Sequence, residues 1–159
     1  MKHLPKHLRP RWRYLAVRLE STPDADFDRG AFQRELWFAA ANLLGDPGSA
    51  DADLRVFSFS FGAPVGEAVV RVRRGEVEAG RAAVACVDGV EGAPVAASVI
   101  GVSGTVRACE EKYMRGPPEA YDEKRVAFRD ADSRAICRGN LRDVRSDSRW
   151  TGATSLDME

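Results

Sequence analysis

Leu54-Arg55-Val56-Phe57-Ser58-Phe59-Ser60-Phe61-Gly62-Ala63-Pro64-Val65-Gly66-Glu67-Ala68-Val69-Val70-Arg71-Val72-Arg73 reads as two strands joined by a tight turn. Over residues 54–61, Phe57, Phe59 and Phe61 fall on one face and Val56, Ser58 and Ser60 on the other. That is the period of two that a strand imposes. Residues 62–66 interrupt it with Gly62, Pro64 and Gly66, all turn formers. Over 67–73, Ala68, Val70 and Val72 alternate with Val69, Arg71 and Arg73. The pair predicts an antiparallel hairpin.

On both sides of the hairpin the apolar period lengthens to that of a helix. Residues 27–44 predict the longest one, with Phe32, Leu36, Ala39 (or Ala40) and Leu43 as its buried stripe. Pro23, Asp24 and Asp26 mark its start, and Gly45-Asp46-Pro47 its stop. Trp37 and Phe38 widen the apolar face, which predicts cover on more than one side. Residues 76–87 predict a second helix with Val77, Ala83, Val84 and Val87 inward.

Further out, residues 12–20 alternate Leu15, Val17 and Leu19 with Tyr14, Ala16 and Arg18, as a strand does. Residues 89–94 read as a loop, 95–102 as a further strand and 105–113 as a third helix ended by Gly116-Pro117-Pro118. The order is β-α-β-β-α-β-α. Its first six elements are the split β-α-β arrangement of ferredoxin-like and RNA-recognition-motif folds, an α+β class. In that arrangement the first and third strands meet at the sheet centre and two helices cover one face. The third helix must pack at an edge or on the other face.

The chain divides into a basic arm (residues 1–11), this domain (12–118) and a C-terminal extension (119–159). In the extension, Val126 and Phe128 alternate with Arg125 and Ala127, and residues 130–133 suit a turn. Residues 134–138 read as a return strand, with Gly139-Asn140 as a second turn. This predicts a small β-meander, with a loose tail from Trp150.

Lys and Arg number 24, as do Asp and Glu, so net charge selects no partner. Distribution is more telling. Lys2, Lys6, Arg9, Arg11, Arg13 and Arg18 all precede the first acid, Glu20. Such a run suits neutralisation of phosphates or an ordinary solvated terminus. Cys86, Cys109 and Cys137 are odd in number and widely spaced, which supports neither a zinc ribbon nor a disulfide framework. They read as buried small residues in a reducing compartment. With no apolar run of membrane length and no signal-like start, the expected location is cytoplasmic, away from membranes.

Four places invite a chemical reading. Ser103-Gly104-Thr105-Val106-Arg107 puts a capping hydroxyl at a helix start, where backbone N–H groups attract anions. Arg107 on the first turn would add a planar, permanent cation. The plain alternative is a capped helix with a surface arginine. A sheet face carrying Trp12, Tyr14, Arg18, Arg71 and Arg73 suits single-stranded RNA. Residues 66–73, however, lack the aromatic pair of a standard RNA-recognition motif. The third helix offers Val106, Cys109 and Tyr113 to cover that face, and burial of Trp12 and Tyr14 is the favoured reading. His3 and His7 lack a third metal ligand, and Lys6 between them opposes a cation. Asp46, Asp51 and Asp53 read as a solvated loop rather than a magnesium site. No carboxylate pair or nucleophile triad accompanies any of these, which favours binding over chemistry.

Two blocks carry a family resemblance. One is Lys2-His3-Leu4-Pro5-Lys6-His7-Leu8-Arg9-Pro10-Arg11-Trp12-Arg13-Tyr14-Leu15; the other is Gly101-Val102-Ser103-Gly104-Thr105-Val106-Arg107-Ala108-Cys109-Glu110. Over roughly residues 1–116 the chain resembles the archaeal ribonuclease P protein component 2 family, which has eukaryotic relatives in ribonuclease P and RNase MRP. The first block looks haloarchaeal. The resemblance implies a subunit of the ribonucleoprotein that removes the 5′ leader of precursor tRNA. In that family the RNA subunit holds Mg2+ and does the chemistry, so no protein-bound cofactor, metal or catalytic residue is expected here. It also implies a TIM-barrel-like partner, protein component 3, other protein subunits, precursor tRNA as the substrate of the complex, and self-association. The RNA-contacting residues it suggests are Lys2, Lys6, Arg9, Arg11, Arg13, Ser103, Thr105, Arg107 and Lys112. Trp37, Phe38 and Val69 are left for a protein partner. A stand-alone single-strand RNA-binding module is the alternative function. A pocketed, small-molecule-sensing domain has no signature in the chain.

Overall fold

The computed structural model describes residues 3–114 and 121–158. Lys2 and the expected Gly116-Pro117-Pro118 stop lie outside the described residues. The first unit runs β1 (Trp12–Ser21), α1 (Arg29–Ala52), β2 (Arg55–Gly62), β3 (Val65–Arg73), α2 (Val77–Ala85), β4 (Gly89–Val90), β5 (Ala93–Ser103) and α3 (Val106–Tyr113). Its antiparallel sheet has the order β2-β3-β1-β5-β4. Apart from the two-residue β4, this is the strand order of the ferredoxin-like arrangement. Residues 89–94 thus hold a short hairpin with β5 rather than a plain loop; Glu91 and Gly92 turn it with positive φ.

The inward face of the sheet is made by Leu15, Val17 and Leu19 of β1 with Ala68, Val70 and Val72 of β3. Phe32, Leu36 and Ala40 of α1 and Ala83 and Val84 of α2 close on it. Asp28 caps α1 by accepting from the Ala31 N–H at 2.8 Å. Gly45 (φ 72°, ψ 171°) breaks the helix where the sequence marks a stop, and helix then resumes to Ala52. A left-handed φ suits glycine, and Pro47 sits near the restart, where its missing N–H costs little. Leu43 is exposed rather than inward, and Ala31 and Ala40 complete the stripe in its place. Trp37 and Phe38 are also largely exposed, so α1 is covered on one side only. Trp37 uses its indole N–H to donate to the Leu54 carbonyl at 2.8 Å.

The alternation in β2 is not the simple one of the sequence pattern. Val56 pairs with Val70 and Ser58 with Val69, so Phe57 is the extra residue of a bulge. Val56, Phe59 and Phe61 therefore all serve the core, whereas Phe57 emerges on the opposite face beside Tyr14.

That opposite face is partly roofed by α3. Cys109 and Tyr113 pack on Ala16 and Val69, with Tyr14 and Ile100 at the margin. Tyr113 lies flat against β5 at Gly101, where an added Cβ would sit 2.1 Å from Cζ of the ring. The third helix thus takes the face rather than the edge, as the apolar residues of 106–113 suggest.

The second unit is a four-stranded meander: β6 (Asp122–Phe128), β7 (Ala131–Arg138), β8 (Leu141–Ser146) and β9 (Arg149–Thr154), in that spatial order. Phe128, Ala135, Cys137 and Val144 form its small core. Trp150 belongs to β9 rather than to a loose tail. Beyond it, Thr154 and Asp157 cap a 3-10 turn over Ser155–Asp157. Tyr121 Oη donates to the Ala63 carbonyl at 2.9 Å, and Arg145 faces Asp24 at 3.8 Å.

Gly101→Ala should cost about 1–3 kcal/mol, the usual range for overpacking. Guanidinium denaturation followed by circular dichroism measures it. A midpoint equal to that of the parent protein would contradict the seat of Tyr113 on β5.

Candidate nucleic-acid interface

β1 begins and β5 ends at the same edge of the first unit, because Tyr14 pairs with Ser103. The register thereby brings Arg11 and Arg13 to the segment Ser103-Gly104-Thr105. The Arg13 guanidinium donates to the Trp12 carbonyl at 3.3 Å, and its Nη1 would be 3.7 Å from a Cβ placed at Gly104. The Arg11 carbonyl accepts from the Arg74 N–H at 3.0 Å, leaving the Arg11 side chain in solvent.

Thr105, not Ser103, caps α3. Its backbone is extended (φ −139°, ψ 157°) and its Oγ1 accepts from the Ala108 N–H at 3.1 Å. Arg107 is 88% exposed and donates through Nε to Glu111 at 2.8 Å, a pair four residues apart on one helix. Such a surface pair is worth about 0.3–0.5 kcal/mol, so it holds the guanidinium loosely. Lys112 is exposed in the last turn, with Nζ 5.4 Å from the Tyr113 ring centroid. Lys6 lies exposed in a 3-10 turn over Lys6–Leu8, and Arg9 donates to the Leu4 carbonyl at 2.8 Å. Arg11, Arg13, Ser103, Thr105 and Arg107 are thus brought to one end of the sheet. Lys6 and Arg9 belong to the arm that leads into it, and Lys112 to the far end of α3.

Next to this end lies a group that the sequence pattern only half reveals. Trp12 pairs with Arg73 and Tyr14 with Arg71 across β1 and β3; Arg55 pairs with Arg71 across β2 and β3. The Arg71 guanidinium stacks 3.7 Å from the Trp12 ring centroid and 5.4 Å from that of Phe57. Arg73 lies 5.3 Å from the Trp12 ring. Tyr14 meets Phe57 edge to face at 5.9 Å. The expected burial of Tyr14 and Trp12 is partial: α3 reaches Tyr14, while Trp12 is half-buried beneath Arg71. Phe57 stands on this face and Arg55 is paired beside it, although neither belongs to the Trp12, Tyr14, Arg18, Arg71 and Arg73 face that alternation predicts. The bulge that turns Phe57 outward has no signature in the alternating pattern. Val69 is fully buried under α3, so it is not free for a partner as the sequence suggested.

An open cleft where α1 meets β2 is lined by Arg29, Gly30, Gln33, Trp37 and Arg55. Its polar groups serve the edge strand: Arg29 donates to the Val56 carbonyl, and Gln33 both accepts from the Val56 N–H and donates to the Leu54 carbonyl. Among the described residues no three His, Cys, Asp or Glu side chains gather as a metal site, and no helix is long and apolar enough to cross a membrane. Burial, with the Glu110 charge adding to it, pushes the Cys109 thiol up from its ordinary value. Cys109 is therefore held neutral at physiological pH.

The chain matches the model of the Rpp14/Pop5 family over residues 13–114. It is 61% identical over 158 residues to a ribonuclease P protein component 2 of Natronomonas pharaonis, covering 99% of this chain and 98% of the relative. A ribonuclease P protein component 2 of Haloarcula marismortui is 55% identical over 160 residues, 99% of each chain. One from Methanosarcina acetivorans is 34% identical over 128 residues, 78% of this chain and 92% of the relative. The meander lies beyond the family match, whereas the haloarchaeal relatives run through it.

Two measurements probe this geometry. Thr105→Ala should lose about 1 kcal/mol through the cap, whereas Arg107→Ala should stay within about 0.5 kcal/mol of the parent protein in thermal unfolding. Equal losses for the two would overturn the cap assignment. In the folded protein, iodoacetamide should label exposed Cys86 rapidly and buried Cys109 and Cys137 only on unfolding; mass spectrometry of the labelled chain reads the order.

Proposed function

The chain belongs to the Rpp14/Pop5 family and is a protein subunit of ribonuclease P; we propose that it binds and positions RNA in that ribonucleoprotein and breaks no bond itself. The observation that carries this reading is the collection of Arg11, Arg13, Ser103, Thr105 and Arg107 at one end of the sheet. These are permanent cations and a helix start, suited to holding phosphate. They offer no group that would exchange a proton near neutral pH, as general acid–base cleavage requires.

In this reading the arm, with Lys2, Lys6 and Arg9, docks on RNA phosphates and releases counterions. Arg107 leaves its weak pair with Glu111 to meet a phosphate or a partner's carboxylate. Lys112 would extend the contact along α3. The Mg2+ ions belong to the RNA subunit, which carries out removal of the precursor tRNA 5′ leader in the cytoplasm. Protein component 3 is the proposed partner protein, and exposed Trp37 and Phe38 on α1 supply an apolar surface for it. Self-association would double that assembly.

Purified protein alone should leave precursor tRNA intact. Added with protein component 3 to the cognate RNA, it should lower the Mg2+ concentration needed for cleavage. Arg107→Ala should reduce that reconstituted activity while thermal stability is unchanged. Cleavage by the protein without RNA would overturn the non-catalytic role, and unaltered reconstitution by Arg107→Ala would return Arg107 to an ordinary surface residue.

A further inference from the structure

The cation–aromatic group at Trp12, Phe57, Arg55, Arg71 and Arg73 is not needed for the fold in the way the core is. Its charges are out of balance. Arg55 and Arg71 are directly opposed across β2 and β3, an arrangement of like charges that destabilises a sheet. Among the described residues Asp53 is the carboxylate that faces Arg71 and Arg73, at 3.7 Å and 3.9 Å. Both distances are too long for hydrogen bonds. Arg71 is 18% exposed, yet its buried Nε has no hydrogen-bond partner. A buried donor left unpaired is costly. Two guanidinium groups beside Trp12, a third arginine opposite one of them in the strand register, one loosely placed carboxylate and an unmet donor together make a site short of negative charge.

We propose that this patch is a second RNA contact, in which Arg71 and Arg73 hold a backbone phosphate and Phe57 stacks on an adjacent unpaired base. The inference rests on the reading of the chain as an RNA-positioning subunit. Three observations favour a nucleotide strand over an acidic peptide. The Arg71 guanidinium is held against the Trp12 ring and Arg73 lies beside it, and a guanidinium can meet phosphate in bidentate fashion. Phe57 is 46% exposed beside them, turned out by the bulge, and its apolar ring suits stacking by a base rather than contact with a carboxylate. β2, β3 and β1 lie side by side, so the patch spans two strand spacings, about 10 Å. That width leaves room for a phosphate and the base beside it. Because Ser103 pairs with Tyr14, the patch continues into the α3 start, and one strand of RNA could cross both.

Asp53 sits where the phosphate would bind and competes with it. It also occupies the left-handed position that ends α1 (φ 47°). Asparagine tolerates that conformation, so Asp53→Asn removes the competitor while keeping the turn.

The test uses the full-length chain and its cognate ribonuclease P RNA, with filter binding over a series of salt concentrations. Asp53→Asn should tighten binding about threefold. Arg73→Gln should reduce the slope of log affinity against log salt by about 0.7–0.9, the value of one phosphate. Phe57→Leu, which keeps an apolar side chain, should weaken binding about fivefold or more. Circular dichroism and thermal unfolding confirm that each variant is folded. Unchanged affinity and slope in folded Asp53→Asn and Arg73→Gln would overturn the proposal, and so would variants that lose a protein subunit from the holoenzyme while holding RNA normally. If the parent protein supports reconstituted cleavage in those cases, the subunit reading stands and only this contact falls. A parent protein that neither binds the RNA nor alters cleavage would sink both.

Discussion

β1 must be covered on both faces, and the rest of the first unit follows from that requirement. Leu15, Ala16, Val17 and Leu19 are consecutive or near-consecutive and all fully buried. The strand pairs with β3 on one side and β5 on the other, so its backbone is satisfied. Its odd-numbered side chains need α1 and α2, and its even-numbered ones need something else. α3 provides this through Cys109 and Tyr113. An eight-residue helix is about 12 Å long and cannot roof a five-stranded sheet. The part it leaves uncovered, from Trp12 to Phe57, is where cations and aromatic rings collect. Incomplete cover thus leaves an open face beside a closed core.

The element order was legible because helix and strand periods differ so clearly in this chain. Leu15-Val17-Leu19 and Ala68-Val70-Val72 alternate without interruption, and their strands appear where the pattern puts them. Phe57 shows where pattern reading ends. A bulge changes the face of one residue while leaving local composition untouched, and only the pairing of Val56 with Val70 and Ser58 with Val69 reveals it. Gly45-Asp46-Pro47 was readable as a break but not as a restart, since both use the same residues. Leu43, Trp37 and Phe38 look inward by composition; their exposure depends on how wide a stripe α2 and the sheet leave for α1 to bury.

The candidate site was legible in part for a similar reason. The Ser-Gly-Thr-x-Arg turn carries its own local signals, so Thr105 caps α3 as a hydroxyl before a helix should. Which of Ser103 and Thr105 does so depends on where β5 stops pairing with β1. Arg71 and Arg73 share a face by alternation along β3, but Arg55, 16 positions before Arg71, meets it only through strand register. Long-range juxtaposition of like charge is invisible along the chain.

The chemistry of these groups bears on the division of labour in a ribonucleoprotein. Arginine stays protonated at any pH at which the protein is folded, so its hold on phosphate does not vary with proton concentration. A group that must give and take protons needs the opposite property. Arginine also keeps its planar shape when desolvated, and Trp12 fixes the orientation of Arg71 before any ligand arrives. A preoriented cation loses less freedom on binding and contacts shape as well as charge. Salt screens bare charge–phosphate attraction far more than stacking on an aromatic ring. On the proposed reading, a face that joins both kinds of contact would keep its hold on RNA at ionic strengths where the basic arm alone would let go.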